Sequence, residues 1–282
     1  MDSLINRVFT KTNINQILTS GKSAINEIVI DKYSLSKQIE TQEDAFDAIY
    51  NFMKRNYRNE YYYKNQLLNN LLIGRHSLNT TSAIRELPIS NSIADFILIN
   101  GKAQVFEIKS GLDSLKRLKG QLLDYYKAFT YVNVIMDEAH LKKVEKAVLN
   151  KNVGLYVLTK RNTIKKIREA NEYNNFLDHT VIFKILRKKE YEEILLKYFG
   201  KLSNADDFHY FRDSLKMFKQ LPIEIAQQEL TTMLKLRYLN KYKDNNSLIL
   251  SFSPALREVI YFSDYRKKQI EELNQRLQEK YK

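Results

Sequence analysis

Residues 93–126 read IADFILINGKAQVFEIKSGLDSLKRLKGQLLDYY, and this stretch decides the fold. It begins with two strand-like runs, Ile93–Asn100 and Ala103–Ser110, which turn residues separate. It continues into Asp113–Phe129, whose apolar spacing is that of a helix with Asp113 as its N-cap. The stretch therefore predicts two adjacent strands followed by a helix.

Similar patterns continue on both sides of this stretch. Thr41, followed by Asp44, predicts a capped helix start, and a further helix is expected over 58–73. The other predicted elements are the strands Ser82–Ile89, Tyr131–Met136 and Val153–Thr159, the helix Asp137–Asn150, and helices almost throughout 181–282. This order predicts an α/β fold with a mixed central β-sheet flanked by helices. We expect three segments: an N-terminal helical segment, 1–54; the core, 55–180; and a C-terminal helical region, 181–282.

Three ionisable residues interrupt the two central strands. Asp95 lies in the first strand, and Glu107 and Lys109 lie two residues apart in the second, so these two share a face. Both strands are apolar enough to be buried on both faces, where charges are costly unless they are paired or bind a metal. A buried structural ion pair between Asp95 and Lys109 is the alternative interpretation.

The length of the turn between these strands determines whether the two carboxylates meet. A two-residue turn at Asn100-Gly101 would place them on opposite faces. A three-residue loop, Asn100-Gly101-Lys102, with Gly101 left-handed and a bulge, pairs Asp95 with Glu107 at a Cβ separation of about 5 Å. We expect the odd-length, bulged loop, which would let both carboxylates share one divalent ion.

Asp95 followed by Glu107-Ile108-Lys109, between strands and before a helix, resembles the PD-(D/E)XK nuclease superfamily. Ala94 stands where the strict motif has proline. Gln121 and Tyr125, four residues apart on the helix, are similar to the Gln-x-x-x-Tyr element of its RecB-like and Cas4-like branch. The longer string EIKSGLDSLKRLKGQLLDYY looks still more like an uncharacterised bacterial family of PD-(D/E)XK-like proteins. The resemblance covers roughly 55–160 and implies a restriction-endonuclease-like core.

The resemblance also implies roles for individual residues. Asp95, Glu107 and the Ile108 carbonyl would bind Mg²⁺, or Mn²⁺, with Glu60 as a further ligand from a helix before the first strand and Glu43 as the alternative. Lys109 would position or activate the attacking water, and Gln121 would assist it.

The helix after the lysine supplies the expected contacts to the substrate. Lys116, Arg117, Lys119 and Tyr125 would contact nucleic acid, unless the cations form only a solvated helix face and the tyrosine belongs to the core. For Gln121, capping of a neighbouring backbone group is the alternative.

Composition agrees with a nucleic-acid partner and narrows the possible chemistry. The 282 residues include 46 Lys and Arg against 33 Asp and Glu, a net charge of +13, which favours a polyanion; an AT-rich genome that over-uses Lys codons is the alternative explanation. Cysteine is absent, so a thiolate zinc site and a cysteine nucleophile are excluded. Only 4 histidines occur, which argues against a metal cluster built from histidines. No apolar run is long enough for a membrane span, and we expect a cytoplasmic protein.

The expected function is therefore a Mg²⁺-dependent nuclease, most simply a deoxyribonuclease, in phage defence or in a mobile element. The alternative from another class is a catalytically silent nucleic-acid-binding or regulatory protein on the same fold. A homodimer, or a protein partner bound through the C-terminal helical region, is a further expectation.

Overall fold

The computed structural model describes residues 4–111, 113–242 and 245–281, without the side chains of 240–242. A six-stranded mixed sheet forms the middle layer, in the order β1-β2-β3-β4-β5-β6. The strands are β1 Ser82–Ile89, β2 Ser92–Asn100, β3 Lys102–Lys109, β4 Tyr131–Asp137, β5 Gly154–Leu158 and β6 Ile164–Arg168. Strands β3, β4 and β5 run parallel, and the other neighbouring pairs are antiparallel. The predicted α/β class with a mixed central sheet is confirmed.

Helices cover one face of the sheet from both ends of the chain. They are α1 Ile5–Val8, α2 Lys11–Ser20, α3 Ala24–Lys32, α4 Gln42–Asn56, α5 Glu60–Leu67, α12 Asn246–Ser251, α13 Arg257–Tyr261 and α14 Lys267–Leu277, with a π-helical turn at Leu68–Ile73. Their apolar residues join the sheet in one continuous core. Burial of apolar surface thus holds the first and last segments of the chain against the same face.

The other face of the sheet carries the helices from the middle part of the chain. They are α6 Leu118–Tyr125, α7 Leu141–Ala147, α8 His179–Ile185, α9 Lys188–Phe199, α10 Asp207–Phe218 and α11 Ile223–Tyr242, with a 3₁₀ turn at Glu138–His140. A second apolar core joins these helices to the opposite side of the strands. The C-terminal helical region is therefore divided between the two faces, with α11 on one and α12 on the other.

Local signals explain several of the boundaries. Thr41 and Asp44 form the predicted capping box at the start of α4. The stripe Ile270, Leu273 and Leu277 on α14 is buried in its own chain. No helix in the described part of the chain combines the length and apolarity that a membrane span requires.

One local prediction was wrong, and one strand was missed. Asp113 does not cap α6, because its carboxylate accepts hydrogen bonds from the N–H and hydroxyl of Ser110, at 2.8 and 2.6 Å, and closes the loop after β3. The helix starts only at Leu118. The strand β6 was not predicted, because IKKIR lacks a regular alternation of apolar and polar residues and is largely exposed at the sheet edge.

Candidate active site

The turn between β2 and β3 sets the geometry of the site. Gly101 adopts a left-handed conformation, with φ at 72°. Asn100 pairs with Lys102, and the same register continues without a shift to Phe96 and Phe106, so the expected bulge does not interrupt these pairs. Continued by one more pair, this register places Asp95 opposite Glu107. The odd-length turn is confirmed, and the facing of the two carboxylates follows from extending this register by one pair.

Both carboxylates and Lys109 lie on the sheet face that α6 covers. Glu107 and Lys109 are only 1% and 6% exposed. The Lys109 ammonium donates to Glu107 Oε1 at 2.7 Å and to Gln121 Oε1 at 3.0 Å. The expected partnership between Lys109 and Gln121 is thus present, and Gln121 holds the ammonium against the carboxylate. The lysine pairs with Glu107, not with Asp95 as in the alternative interpretation.

Tyr125 approaches Glu107 from the next turn of α6. Its hydroxyl lies 2.5 Å from Glu107 Oε2 and 2.8 Å from the carbonyl oxygen of Ile93. Burial, followed by the charge of Glu107, raises the pKa of this phenol well above its ordinary value. The hydroxyl is therefore protonated, and it can donate to either oxygen but to only one at a time.

Asp95 is a largely buried carboxylate that faces the negative charge of Glu107. Its Oδ2 accepts a hydrogen bond from the N–H of Ile108 at 2.7 Å. Burial, followed by the charge of Glu107, raises the pKa of Asp95 from 3.8 to about 7, although the Ile108 hydrogen bond opposes this shift. At neutral pH, the protonated and the charged forms of Asp95 are therefore both populated. A cation bound nearby would favour the charged form.

A second acidic pair borders the site from β1 and α5. In the β1–β2 register, Glu86 lies opposite Asp95, between the pairs Arg85–Phe96 and Leu87–Ala94. The backbone of Glu86 has a φ of 54°, and this residue makes no ladder pair of its own. The buried ammonium of Lys64 lies 2.9 Å from Glu86 and 2.6 Å from Glu60. Burial by itself would lower the pKa of Lys64, but the charges and hydrogen bonds of both carboxylates raise it, so Lys64 is a cation.

The sequence did not identify Glu86 and Lys64 as members of the site. Glu86 is a charged residue in the largely apolar run Ser82–Ile89, just as Asp95 is in the run Ile93–Asn100. This similarity could have indicated that Glu86 belongs to the site. Lys64 follows Glu60 by one helical turn, a spacing ordinary for a surface ion pair. Its burial depends on packing between α5 and the sheet, which the local pattern does not encode.

The oxygen ligands suit a hard divalent cation in part. Asp95, Glu107 and the Ile108 carbonyl offer the donors that Mg²⁺ and Mn²⁺ prefer. Each carboxylate oxygen of Glu107 keeps a further lone pair beside its hydrogen bond. The side chain of Glu60 is 58% exposed and bound to Lys64. Among the described residues, no three Asp, Glu or His side chains gather closely enough to hold one metal ion. Asp95 and Glu107 are therefore two candidate carboxylate ligands, and the predicted third ligand, Glu60, pairs with Lys64.

Asp95 and Gln121 line a cleft of about 520 Å³. Of the predicted nucleic-acid contacts, Lys116 and Arg117 line the same cleft, whereas Lys119 borders a separate apolar one. Tyr125 is completely buried. The prediction that Tyr125 contacts nucleic acid is wrong for this arrangement, because its only polar atom is turned inward onto Glu107 and Ile93.

Comparison with known proteins identifies relatives of this chain. The family model described as Bacteriophage P4 protein cII matches residues 53–276. Protein cII of Enterobacteria phage P4 is 31% identical over 170 residues, which cover 57% of this chain and 61% of that protein. The chain thus spans about three fifths of the length of this curated relative.

A solved structure of a protein of unknown function from Silicibacter pomeroyi matches at 14% identity and a TM-score of 0.29. The match covers 45% of this chain and 86% of that one, and a score this low supports no structural argument. The family match, in contrast, includes every strand of the sheet and all the residues of the candidate site. The chain belongs to the phage P4 protein cII family.

Proposed function

We propose that this protein is a metal-dependent nuclease that hydrolyses phosphodiester bonds in DNA, with Mg²⁺ or Mn²⁺ as its cofactor. The observation that carries the proposal is the placement of Asp95 opposite Glu107, with Lys109 beside them on one sheet face. This is the arrangement that the resemblance to the PD-(D/E)XK superfamily implies for a nuclease.

Each polar residue would have a defined task. Asp95, Glu107 and the Ile108 carbonyl would hold the ion, which when bound polarises the scissile phosphate and lowers the pKa of a water. The Lys109 ammonium would stabilise negative charge on the attacking oxygen. Gln121 positions Lys109, and Tyr125 positions Glu107, through the hydrogen bonds described above.

Burial of these charges supports a function for them. Removing an ion pair from water is costly, and apolar residues of similar size often stabilise a fold as well or better. In addition, the charge of Glu107 raises the pKa of Asp95. A fold that needed only stability would gain from an apolar residue or a neutral amide at position 95.

The family relation supports a setting for this activity. The curated relative is a protein of a phage, and we propose that this nuclease acts for a phage or another mobile element, or in defence against phage. Its proposed partner is DNA in the cytoplasm. Assembly as a homodimer, or with a protein bound to the C-terminal helices, is part of the same proposal.

A second function, nucleic-acid binding without cleavage, is favoured by one observation. Both oxygens of Glu107 accept hydrogen bonds from the chain itself, from Lys109 and from Tyr125. A carboxylate held in this way can serve as a structural partner of the lysine. This alternative predicts binding that needs no divalent ion.

The experiment that separates the two functions measures cleavage and binding on the same substrates. Labelled single-stranded and duplex DNA and RNA are incubated with the protein and Mg²⁺, Mn²⁺ or EDTA. Cleavage that requires the divalent ion supports the nuclease. Salt-sensitive binding with no cleavage in any metal favours the second function and rejects the first.

A further inference from the structure

A basic cleft of about 560 Å³ opens where the parallel strands end. Asp137 is the last residue of β4, Gly111 and Lys160 follow the ends of β3 and β5, and the C-terminal end of α4 with the segment after it forms the opposite wall. In sheets of this kind, ligands bind outside the carboxyl ends of the strands. The lining residues are Lys54, Arg55, Asn56, Tyr57, Arg58, Gly111, Asp137, Lys160 and Asn162.

The charges of this cleft converge from two distant parts of the chain. Lys54, Arg55 and Lys160 are exposed, and none of their side chains makes an ion pair with a residue of 4–111, 113–242 or 245–281. Cations at the end of α4 suit the helix dipole, but Lys160 comes from the β5–β6 turn and has no such role. Asp137 is the one carboxylate in the lining. The cleft therefore presents an excess of free positive charge.

The walls of the cleft are fixed in place before any ligand binds. The Arg58 guanidinium donates to the carbonyl oxygens of Thr159 and Lys160, both at 3.0 Å. The Tyr62 hydroxyl donates to Asn162 Oδ1 at 2.5 Å. These bonds tie the segment after α4 and the first turn of α5 to the β5–β6 turn, so the free cations are already held close together, which reduces the entropic cost of binding.

The cleft adjoins a second cleft that reaches the acidic pair beside the candidate active site. Gly111 lies two residues beyond Lys109. The half-buried ring of Tyr57 borders both this cleft and a second one of about 520 Å³, which Glu60, Lys64 and Ser110 also line. A cleft of this size suits one or two nucleotides and not a duplex, and cationic grooves with an aromatic side chain are typical sites for single strands.

We propose that this cleft binds a single-stranded DNA segment, with backbone phosphates on Lys54, Arg55 and Lys160 and a base against Tyr57. The inference deepens the proposed nuclease function, on which it rests, by naming the form of the substrate and its route to Lys109. Three phosphate contacts on a single strand give a salt slope of about −2 in log affinity against log salt. At about 0.1 M salt, these three contacts strengthen binding on the order of 100-fold relative to a cleft without them.

The test measures binding in EDTA, where no metal-dependent cleavage occurs. The probe is fluorescent oligodeoxythymidylate of about 16 nucleotides, the upper end of the usual site size, with a duplex of equal length for comparison. The variant is Lys54→Gln/Arg55→Gln/Lys160→Gln. The control, Lys184→Gln/Lys189→Gln/Lys219→Gln, removes the same number of exposed cations from α8, α9 and the end of α10, away from the cleft.

The cleft variant should bind the single strand on the order of 100-fold more weakly, with a salt slope smaller by about 2, while the control changes affinity about twofold or less. Equal loss in both variants, tighter binding of the duplex by the wild type, or no binding of the single strand would overturn the inference. Binding is measured without metal, so its result does not depend on cleavage. If the cleft binds DNA but the protein never cuts, only the nuclease proposal is rejected. Metal-dependent cutting with unchanged binding by the cleft variant would reject the cleft alone.

Discussion

Replacing Asp95 with asparagine keeps the shape of the side chain and removes the charge that faces Glu107. The amide oxygen of the Asp95→Asn variant can still accept the hydrogen bond that the Ile108 N–H donates to Asp95. What changes is the electrostatic cost of a second buried carboxylate. We therefore expect the variant to be inactive and yet more stable than the wild type.

The pKa of Asp95 gives the magnitude. Folding raises it from 3.8 to about 7, and each unit corresponds to about 1.4 kcal/mol. A raised carboxyl pKa means that the folded state binds more protons than the unfolded state between these values, so the stability of the wild type falls as pH rises through this range and levels off above about pH 7. The full cost approaches about 4 kcal/mol, of which about 2 kcal/mol develops between roughly pH 5.5 and pH 8.

Urea unfolding of both proteins in EDTA, followed by circular dichroism at these two pH values, measures the effect. The free energy of unfolding of Asp95→Asn should exceed that of the wild type, by a margin that grows by about 2 kcal/mol from pH 5.5 to pH 8. Asp31→Asn removes an exposed carboxylate on α3 and should change stability by about 0.5 kcal/mol or less at either pH. A margin that is negative, or that does not change with pH, would refute the raised pKa of Asp95, which burial and then the charge of Glu107 produce.

Further variants test the buried charges singly. Lys109→Met leaves Glu107 buried without its cation and should lower the free energy of unfolding by about 3 kcal/mol or more; a loss below about 1 kcal/mol in urea unfolding would contradict this pairing. Arg85→Met strips the fully buried Glu258 of the guanidinium 3.1 Å away and should cost a similar amount, most of which the added change Glu258→Met should restore in the same assay. Tyr125→Phe removes a hydrogen bond to a charged oxygen and should cost about 1–3 kcal/mol and reduce the cleavage rate; a variant unchanged in both would show that the hydroxyl does not position Glu107.

Local sequence signals predicted the parts of the site that depend on short-range geometry. The turn at Gly101 fixes which residues face each other across β2 and β3, because a shift by one residue moves every side chain to the other face. The spacing of Gln121 and Tyr125 likewise predicted that they share one helix face, from which both contact residues of β3. Strands β1 to β5 followed from apolar runs bounded by turn residues.

The remaining features depend on contacts between segments distant in the chain. Glu86 leaves the β1 ladder and pairs with Lys64, and nothing in the alternation of β1 encodes that backbone conformation. The basic cleft joins Arg55 to Lys160 across about 100 positions, through hydrogen bonds made by Arg58 that exist only after the sheet has formed. The pairing across the β2–β3 hairpin was therefore predictable from the sequence, whereas these contacts between distant segments were not.

The cleavage rate of the Asp95→Asn variant tests the central claim most directly. Because this variant should be more stable than the wild type, loss of its activity cannot be attributed to unfolding. On labelled single-stranded and duplex DNA with Mg²⁺ at about pH 8, we expect the wild type and Asp31→Asn to cut at the same rate and Asp95→Asn to cut at least about 100-fold more slowly. Equal cutting by all three proteins, or no cutting by the wild type with either Mg²⁺ or Mn²⁺, would contradict a metal-dependent nuclease site at Asp95 and Glu107.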